Sequence, residues 1–215
     1  IGAGLSFLGL CVLGAAIFFS LSNFARAQDV RTFVPEKAQQ LAPLTKSQIE
    51  DYWPSMPLRS HLGALIEQET CISLKHRYCW SPSARLKTSR EEGAGLGQLT
   101  RAWSSTGALR FDALQETREL DPVALRELTW ETVYERADLN IRAALVKLKD
   151  CDIRLSRLTV ADPYNRTAFC DAAYNGGMGG LLNDRKLCAF TSGCDPQQWF
   201  NHTERYSSKS RTKWQ

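Results

Sequence analysis

The sequence has few of the residues that usually hold a catalytic metal. Among its 215 residues there are only three histidines, none at zinc-site spacing from another, and no two cysteines form a Cys-x-x-Cys motif. Both a His-based zinc centre and a zinc knuckle need such spacings. We therefore expect neither a metal nor any other cofactor.

A strong charge of one sign is also missing. Lys and Arg total 27 against 23 Asp and Glu, and the net charge of +4 is spread along the chain. This excess is too small to favour nucleic acid as a partner, although it suits a polyanionic polymer such as a cell wall. With 43% hydrophobic and 23% charged residues, the chain is not fibrous or wholly disordered, and one domain with an appendage fits its length.

The first 25 residues carry no formal charge, and the first charged residue is Arg26. About 20 apolar residues in a helix span a bilayer core, which favours a retained transmembrane anchor. Residues 25–27 (Ala-Arg-Ala) instead fit the small-x-small pattern of a signal-peptide cleavage site. The sequence thus predicts that residues 1–27 are a membrane anchor or a cleaved signal segment.

Six of the seven cysteines follow this segment, and an even number beyond an export segment predicts disulfides in an oxidising compartment. Six cysteines allow 15 pairings, and the sequence cannot choose among them. Closeness along the chain favours Cys71 with Cys79 and Cys188 with Cys194, which leaves Cys151 with Cys170. Buried unpaired thiols are the alternative.

The remaining chain divides at about residue 60. Residues 28–59 are polar and contain four prolines, so we expect a loosely attached spacer in which only residues 34–41 are helical. Residues 60–215 show helical spacing of apolar positions and only fragments of strand pattern, which predicts a compact, mainly helical domain. One helix carries Leu62, Leu65, Ile66 and Glu69, a second covers residues 133–148, and a third runs from Pro163 to about Asn175.

Glu69 is the residue on which chemistry would depend. It shares a helical face with apolar residues, whereas Glu67 is directed to water. A carboxyl held against apolar groups has a raised pKa, so Glu69 can stay protonated near neutral pH and act as a general acid on a glycosidic bond. A buried glutamate paired with an arginine or a backbone amide is the plainer interpretation.

Two further segments carry groups suited to a sugar. Residues 95–100 (Gly-Leu-Gly-Gln-Leu-Thr) can bring backbone and the Gln98 amide against a sugar ring. At the end of the third helix, Tyr174 offers a stacking face and Asn175 a donor and an acceptor, which fits an acetamido sugar. Taken singly, these segments also fit an ordinary loop and a helix C-cap.

Together and in this order, four segments resemble the soluble lytic transglycosylases and their goose-type lysozyme relatives. Residues 64–70 resemble the family's Glu-Ser motif, with Glu69 at the catalytic acid and Thr70 in place of Ser. Residues 95–98 resemble Gly-Leu-Met-Gln, residues 140–143 its Asn-Ile segment, and residues 173–177 its Ala-Tyr-Asn-x-Gly. The resemblance covers residues 60–205 and implies an α+β lysozyme-like fold with a deep glycan cleft. It further implies substrate-binding roles for Thr70, Gly95, Leu96, Gln98, Tyr174 and Asn175.

The chain also departs from the family pattern. Glu69 and Gly95 are farther apart than usual, and the extra residues include Cys71, Cys79 and Trp80, which we expect to form a disulfide-tied loop beside the cleft. Gly97 replaces the usual Met, which changes the shape of that subsite.

The resemblance implies cleavage of peptidoglycan between N-acetylmuramic acid and N-acetylglucosamine. Glu69 would protonate the bridging oxygen and then take the proton of the muramic acid's primary hydroxyl, which leaves an anhydro sugar. A hydrolytic muramidase would need a second carboxylate, for which Glu91 and Glu92 are candidates, although a solvated acidic pair on a loop fits them better. A non-catalytic wall-binding or assembly protein is the third alternative.

These expectations place the domain in the periplasm of a bacterial envelope, either anchored in the inner membrane or exported. The expected partners are peptidoglycan glycan strands, and the membrane if the first segment is retained. The sequence does not identify protein partners. The same domain would serve in an envelope-spanning machine or, if the chain is phage-encoded, in a phage particle.

Overall fold

A computed structural model describes residues 34–207, and the unit that begins at Pro35 is a mixed α+β structure, about half of it helical. The elements, in chain order, are helices α1 (Glu36–Tyr52) and α2 (Ser60–Thr70), strands β1 (Arg85–Lys87), β2 (Glu91–Ala94), β3 (Leu99–Trp103) and β4 (Leu109–Asp112), helices α3 (Ala113–Leu120), α4 (Ala137–Leu155) and α5 (Pro163–Ala189), and a 3-10 turn (Thr203–Tyr206).

Helix α1 corrects the prediction of a loosely attached spacer for residues 34–59, the described part of the predicted range 28–59. The helix contains Pro43, yet Ala38 and Ile49 on its inner face are 5% and 4% exposed in the main core. Trp53 and Met56, which follow it, are buried in the same core. Burial of this apolar face offsets the backbone hydrogen bond that proline removes, so residues 36–59 belong to the domain.

The membrane prediction lies outside the part of the chain that the structure describes. Within residues 34–207, no helix combines the length and apolar character needed to cross a bilayer. Residues 1–27, the predicted anchor or signal segment, precede the described range.

The main core forms where α2, α4 and α5 pack together. The predicted inner face of α2 is confirmed, since Leu62 and Ile66 are fully buried and Leu65 is 3% exposed. They pack in one cluster with Ile141 and Leu145 of α4 and with Phe169 of α5. Burial of each such side chain stabilises the fold by about 1.5–3 kcal/mol, and the cluster fixes α2 relative to the two longer helices.

The four strands form an antiparallel sheet in the order β1-β2-β3-β4. The sequence indicated only fragments of strand, and the reason is visible in β1 and β2. The three residues of β1 are all exposed, and β2 reads Glu-Glu-Gly-Ala. β1 is only three residues long and β2 does not alternate apolar with polar residues, so neither gives a clear strand signal. β1 depends on pairing with β2, and β2 on pairing with β3, which contributes Leu99 to a second apolar cluster that also contains Leu114.

Helix α5 follows the predicted capping pattern. Asp162 accepts a hydrogen bond from the backbone amide of Asn165, 2.8 Å away, as expected of an N-cap before Pro163. Gly177 has φ +74° and ψ 158°, which interrupts the helix two residues after the predicted end. A second helical stretch then continues to Ala189.

Both disulfides favoured by closeness along the chain are present, and so is the pair that remained. Cys71–Cys79 closes the loop after α2, Cys151–Cys170 joins α4 to α5, and Cys188–Cys194 ties the end of α5 to the next loop. Three disulfides in one small domain fit an oxidising, extracytoplasmic compartment.

Candidate active site

Glu69 lies in the last turn of α2, and its Oε1 atom is shielded from solvent. The side chain is directed inward, as the helical spacing predicted. Glu67 was expected to point into water, but its Oε2 accepts a hydrogen bond of 3.1 Å from the indole nitrogen of Trp80. The neighbouring disulfide loop brings Trp80 back onto α2, which sequence spacing cannot show.

The charge of Glu69 acts on two side chains from other helices. Burial, and then the charges of Glu69 and Asp171, raise the pKa of the Tyr174 hydroxyl well above its ordinary value. Burial lowers the pKa of Lys147 to about 8, although the charges of Glu69 and Glu116 oppose that change. Helices α2, α4 and α5 meet in this region, because Leu65 and Ile66 of α2 and Ala144 of α4 belong to one core cluster, against which Tyr174 of α5 packs.

The glycine-rich turn between β2 and β3 is held by Asn140 of α4. The amide of Gly97 donates to Asn140 Oδ1 at 2.6 Å, and Asn140 Nδ2 donates to the carbonyl of Ala94 at 3.3 Å. Asn140 is fully buried. Gly95 has φ +71°, and a Cβ atom there would lie 2.1 Å from Asn140 Nδ2. The close backbone approach that the glycines predicted is therefore an approach to Asn140.

Tyr174 completes the link between this turn and α5. Its hydroxyl donates to the carbonyl of Gly97 at 2.6 Å. A Cβ atom at Gly97 would lie 2.7 Å from that hydroxyl oxygen, so a larger residue has no room unless Tyr174 moves. The tyrosine hydroxyl thus occupies the space that a side chain at position 97 would need.

Two of the predicted substrate-binding residues, Leu96 and Thr70, make their contacts within the protein. Leu96 is fully buried in the main core, so it anchors the turn rather than contacting a sugar. The hydroxyl of Thr70 donates to the carbonyl of Ile66 at 2.7 Å and accepts from the amide of Trp80 at 3.0 Å. Thr70 therefore positions Trp80 at the end of α2.

The amide of Gln98 is likewise engaged within the protein. Gln98 has φ +43°, and its Nε2 donates to the carbonyls of Gly95 at 2.8 Å and Ala84 at 3.2 Å. These bonds stabilise the turn in a backbone region that residues with side chains rarely adopt. Asn175 is exposed, and its Nδ2 donates to the carbonyl of Asp171 at 3.2 Å on the same helix.

The two candidates for a second carboxylate lie on strand β2, not on a loop. Glu91 is exposed, whereas Glu92 is 3% exposed and accepts hydrogen bonds from Arg85 and Arg101. The hydroxyl of Tyr134 also donates to it, at 3.3 Å. Burial alone would raise the pKa of Glu92, but the hydrogen bonds from Arg101 and Arg85 outweigh it and the pKa is lowered. Glu92 is therefore a buried, paired carboxylate, which corrects the expectation of a solvated pair.

Lys147 is the site residue that sequence reasoning missed. Its Nζ donates to the carbonyl of Tyr174 at 3.1 Å and lies 3.8 Å from the centroid of the Tyr174 ring. The sequence did carry a signal for Lys147. It follows Asn140 by seven residues and Ala144 by three, so helical spacing places it on the same, inward-facing side of α4. A cation on such a side needs a partner.

Glu69, the Gly95–Gln98 turn, Asn140 and Tyr174 therefore come together from four separate segments. Two cavities elsewhere, one of about 340 Å³ beside Trp80 and one beside His61, are not lined by Glu69. The deep glycan cleft remains a prediction. No protein-family model matches the chain, and neither the curated proteins nor the solved structures include a significant match.

Proposed function

We propose that the protein is a peptidoglycan lytic transglycosylase that cleaves between N-acetylmuramic acid and N-acetylglucosamine. One observation carries the proposal: the four segments that resemble the family motifs, far apart in sequence, meet around one shielded glutamate. The hydroxyl of Tyr174 and the side-chain amide of Asn140 both bond the glycine turn. Leu65 and Ile66, which precede Glu69 on α2, belong to the core cluster against which Tyr174 packs. A chance resemblance of separate short motifs gives no reason for such a meeting.

In the proposed reaction, Glu69 serves first as acid and then as base. It donates its proton to the bridging oxygen while the bond from the anomeric carbon to that oxygen breaks. The primary hydroxyl oxygen of the muramic acid bonds to the anomeric carbon, and its proton returns to Glu69. No water is consumed, and the product carries an anhydro ring. The internal nucleophile is already positioned, so one carboxylate suffices.

The surroundings of Glu92 support this one-carboxylate reaction over hydrolysis. A hydrolase of the two-carboxylate type needs a second acid whose oxygens reach water or the anomeric carbon. The oxygens of Glu92 already accept hydrogen bonds from Arg85, Arg101 and Tyr134. Glu91, the other candidate, is exposed on the same strand.

We place the protein in the bacterial envelope, with this domain in the periplasm and residues 1–27 as a membrane anchor or export signal. The three disulfides support export from the reducing cytoplasm. A phage-encoded enzyme that breaches the wall would act in the same oxidising compartment, so the disulfides fit that origin as well.

The test is digestion of purified peptidoglycan with mass spectrometry of the released muropeptides, for the wild type and Glu69→Gln. Loss of the acid is expected to reduce release at least about 100-fold. Glu67→Gln is the matched control, because it makes the same chemical change two residues away on α2, and it should retain activity.

The products decide among the alternatives. Anhydro ends support the transglycosylase, reducing ends identify a hydrolytic muramidase, and no release by the wild type favours a wall-binding protein. Full activity of Glu69→Gln would contradict the catalytic assignment.

A further inference from the structure

A cavity of about 340 Å³ lies between α1 and the start of α2, and Trp80 forms one of its walls. Pockets that bind small ligands measure roughly 300–1,000 Å³, so the volume of this cavity falls within their range. Its surface is mostly apolar, and Ala42, Ile49 and Gly63 contribute to it together with Trp80. The proposed reaction at Glu69 makes no use of this cavity.

Gly63 lines the cavity, and within the described structure nothing requires a glycine there. It lies inside α2, and an added Cβ atom would meet the Trp80 ring at 3.5 Å, which is an ordinary van der Waals distance. Alanine stabilises a helix interior relative to glycine, because glycine loses more backbone entropy on folding. The fold therefore gives up helix stability at position 63, and what it gains is open space against the Trp80 ring.

Trp80 is held in place by contacts at both its backbone and its ring. Its amide donates to the Thr70 hydroxyl at 3.0 Å, and its indole nitrogen donates to Glu67 Oε2 at 3.1 Å, a bond that glutamine could also accept. The Cys71–Cys79 disulfide directly precedes it, and its φ of +52° is a conformation that bulky residues rarely adopt. Residues held in such conformations cluster at binding sites.

The charged side chains at the cavity are both cations, Lys46 of α1 and Arg59 just before α2. The Arg59 guanidinium donates to the carbonyl of Pro54, which is uncharged, and Lys46 forms an exposed ion pair of 3.7 Å with Glu50. Exposed pairs of that kind are weak. None of the described lining residues is acidic. The cavity thus favours a ligand with an apolar body and a carboxylate.

We propose that this cavity binds the peptide that peptidoglycan carries on its muramic acid, with Trp80 and Gly63 against the peptide and Lys46 and Arg59 near its carboxylates. This inference rests on the proposed function. The peptide has apolar side chains and free carboxylates, whereas the acetamido sugars of an intact strand are uncharged. Charge complementarity therefore favours the peptide over a further sugar as the occupant.

The distance along the protein suits such a peptide. Gly63 and Glu69 lie six residues apart on α2, which is about 9 Å along the helix axis and about 120° around it. An extended peptide of three to five residues spans roughly 10–18 Å. A muramic acid at Glu69 can therefore place its own peptide in the cavity, and binding there would select strands that still carry peptides.

The experiment compares two soluble substrates by their initial rates of cleavage: glycan strands with peptides, and strands from which an amidase has removed them. We expect kcat/KM of the wild type to be about tenfold higher with peptides. In the double variant Lys46→Gln and Arg59→Gln this preference should fall to within about twofold, through the peptide-bearing substrate alone. Removal of one lysine and one arginine elsewhere, Lys186→Gln with Arg157→Gln, is the matched control and should keep the preference.

Gly63→Ala tests the cavity without loss of charge. The added methyl group narrows the space against Trp80, so the preference should fall at least about threefold. The melting temperature should stay equal or rise, because alanine favours the helix. A lower preference therefore cannot be attributed to unfolding.

Binding is also measured without turnover, by NMR of the indole NH signals while the free peptide released by the amidase is added. The Trp80 signal is assigned from its absence in Trp80→Phe. We expect it to shift with the peptide in the wild type and to shift much less in Gly63→Ala.

The two proposals fail in different ways. A wild type without preference, a preference that both cavity variants retain, or a Trp80 signal that the peptide leaves unchanged overturns the assignment of the cavity. An equal shift of that signal with peptide-free strands assigns the cavity to sugars instead and likewise overturns it. Absence of anhydro products from both substrates overturns the proposed function, whatever the Trp80 signal shows.

Discussion

Replacement of Gly95 by alanine tests whether the glycine turn and Asn140 form one unit. Gly95 has φ +71°, and the added Cβ would lie 2.1 Å from Asn140 Nδ2 and 2.7 Å from its Cγ. Real Cβ contacts are not that short, so Asn140 must move. It is fully buried and bonds both the Gly97 amide and the Ala94 carbonyl, so neither group can turn to water when the side chain leaves.

The magnitude follows from two contributions. Alanine at positive φ costs about 1–2 kcal/mol, partly offset by the lower entropy of the unfolded chain. The buried Gly97 amide and Ala94 carbonyl lose their hydrogen bonds to Asn140, and each loss costs about 1–3 kcal/mol. Gly107 supplies the control, because its φ is +83° and nothing lies within 4 Å of its added Cβ. Gly95→Ala should therefore lose about 2–6 kcal/mol more stability than Gly107→Ala.

Urea unfolding of the two variants and the wild type, followed by fluorescence and circular dichroism, measures this difference. Muropeptide release should fall in Gly95→Ala and stay near wild type in Gly107→Ala. Equal losses of unfolding free energy in the two variants would show that Asn140 does not hold the turn, and the reasoning about the site's assembly would be refuted.

Two further predictions concern side chains that the structure ties into the same region. Glu92→Gln is expected to lose about 1–2 kcal/mol at pH 7, because the charge-assisted hydrogen bonds from Arg85 and Arg101 are weakened while both arginines keep contact with water. The wild-type carboxylate has a lowered pKa, so its contribution is complete above the ordinary value of 4.5 and lost as pH falls through the folded value. The free energies of unfolding of the two proteins, measured with urea at several pH values, should therefore converge in acid. A constant difference at all pH values would contradict this. Tyr174→Phe removes the hydrogen bond to the Gly97 carbonyl and should lose about 1–2 kcal/mol by the same assay, with anhydro products retained; unchanged stability would refute the link.

Much of the helical structure was predictable because its causes are local. The inner face of α2 follows from the spacing of Leu62, Leu65 and Ile66, and the start of α5 follows from Asp162 before a proline. Proximity along the chain also favoured the disulfide pairs that the structure contains. The four prolines of residues 28–59 misled the prediction, since burial of Ala38 and Ile49 outweighs the cost of Pro43 within α1.

The site was predictable in part. The glutamate, the glycine turn and the tyrosine were identified by type and order, and the structure brings them together. The roles of Leu96, Thr70 and Gln98 differ from the predicted sugar contacts. Leu96 is buried in the core, and the polar groups of Thr70 and Gln98 bond backbone atoms of the protein. Sequence spacing gives the face of a helix on which a side chain lies, but it does not give the backbone group that the side chain meets.

The sequence alone determined which apolar residues of α2 face inward, where α5 begins and where glycine breaks it, because periodicity, capping and positive φ act within a few residues. Only the tertiary structure decided that Asn140 holds the glycine turn, that Glu92 is buried between two arginines, and that the tyrosine hydroxyl fills the space at Gly97. Those contacts join residues that lie 7 to 77 positions apart, and pairing of the strands and packing of the helices bring them within reach.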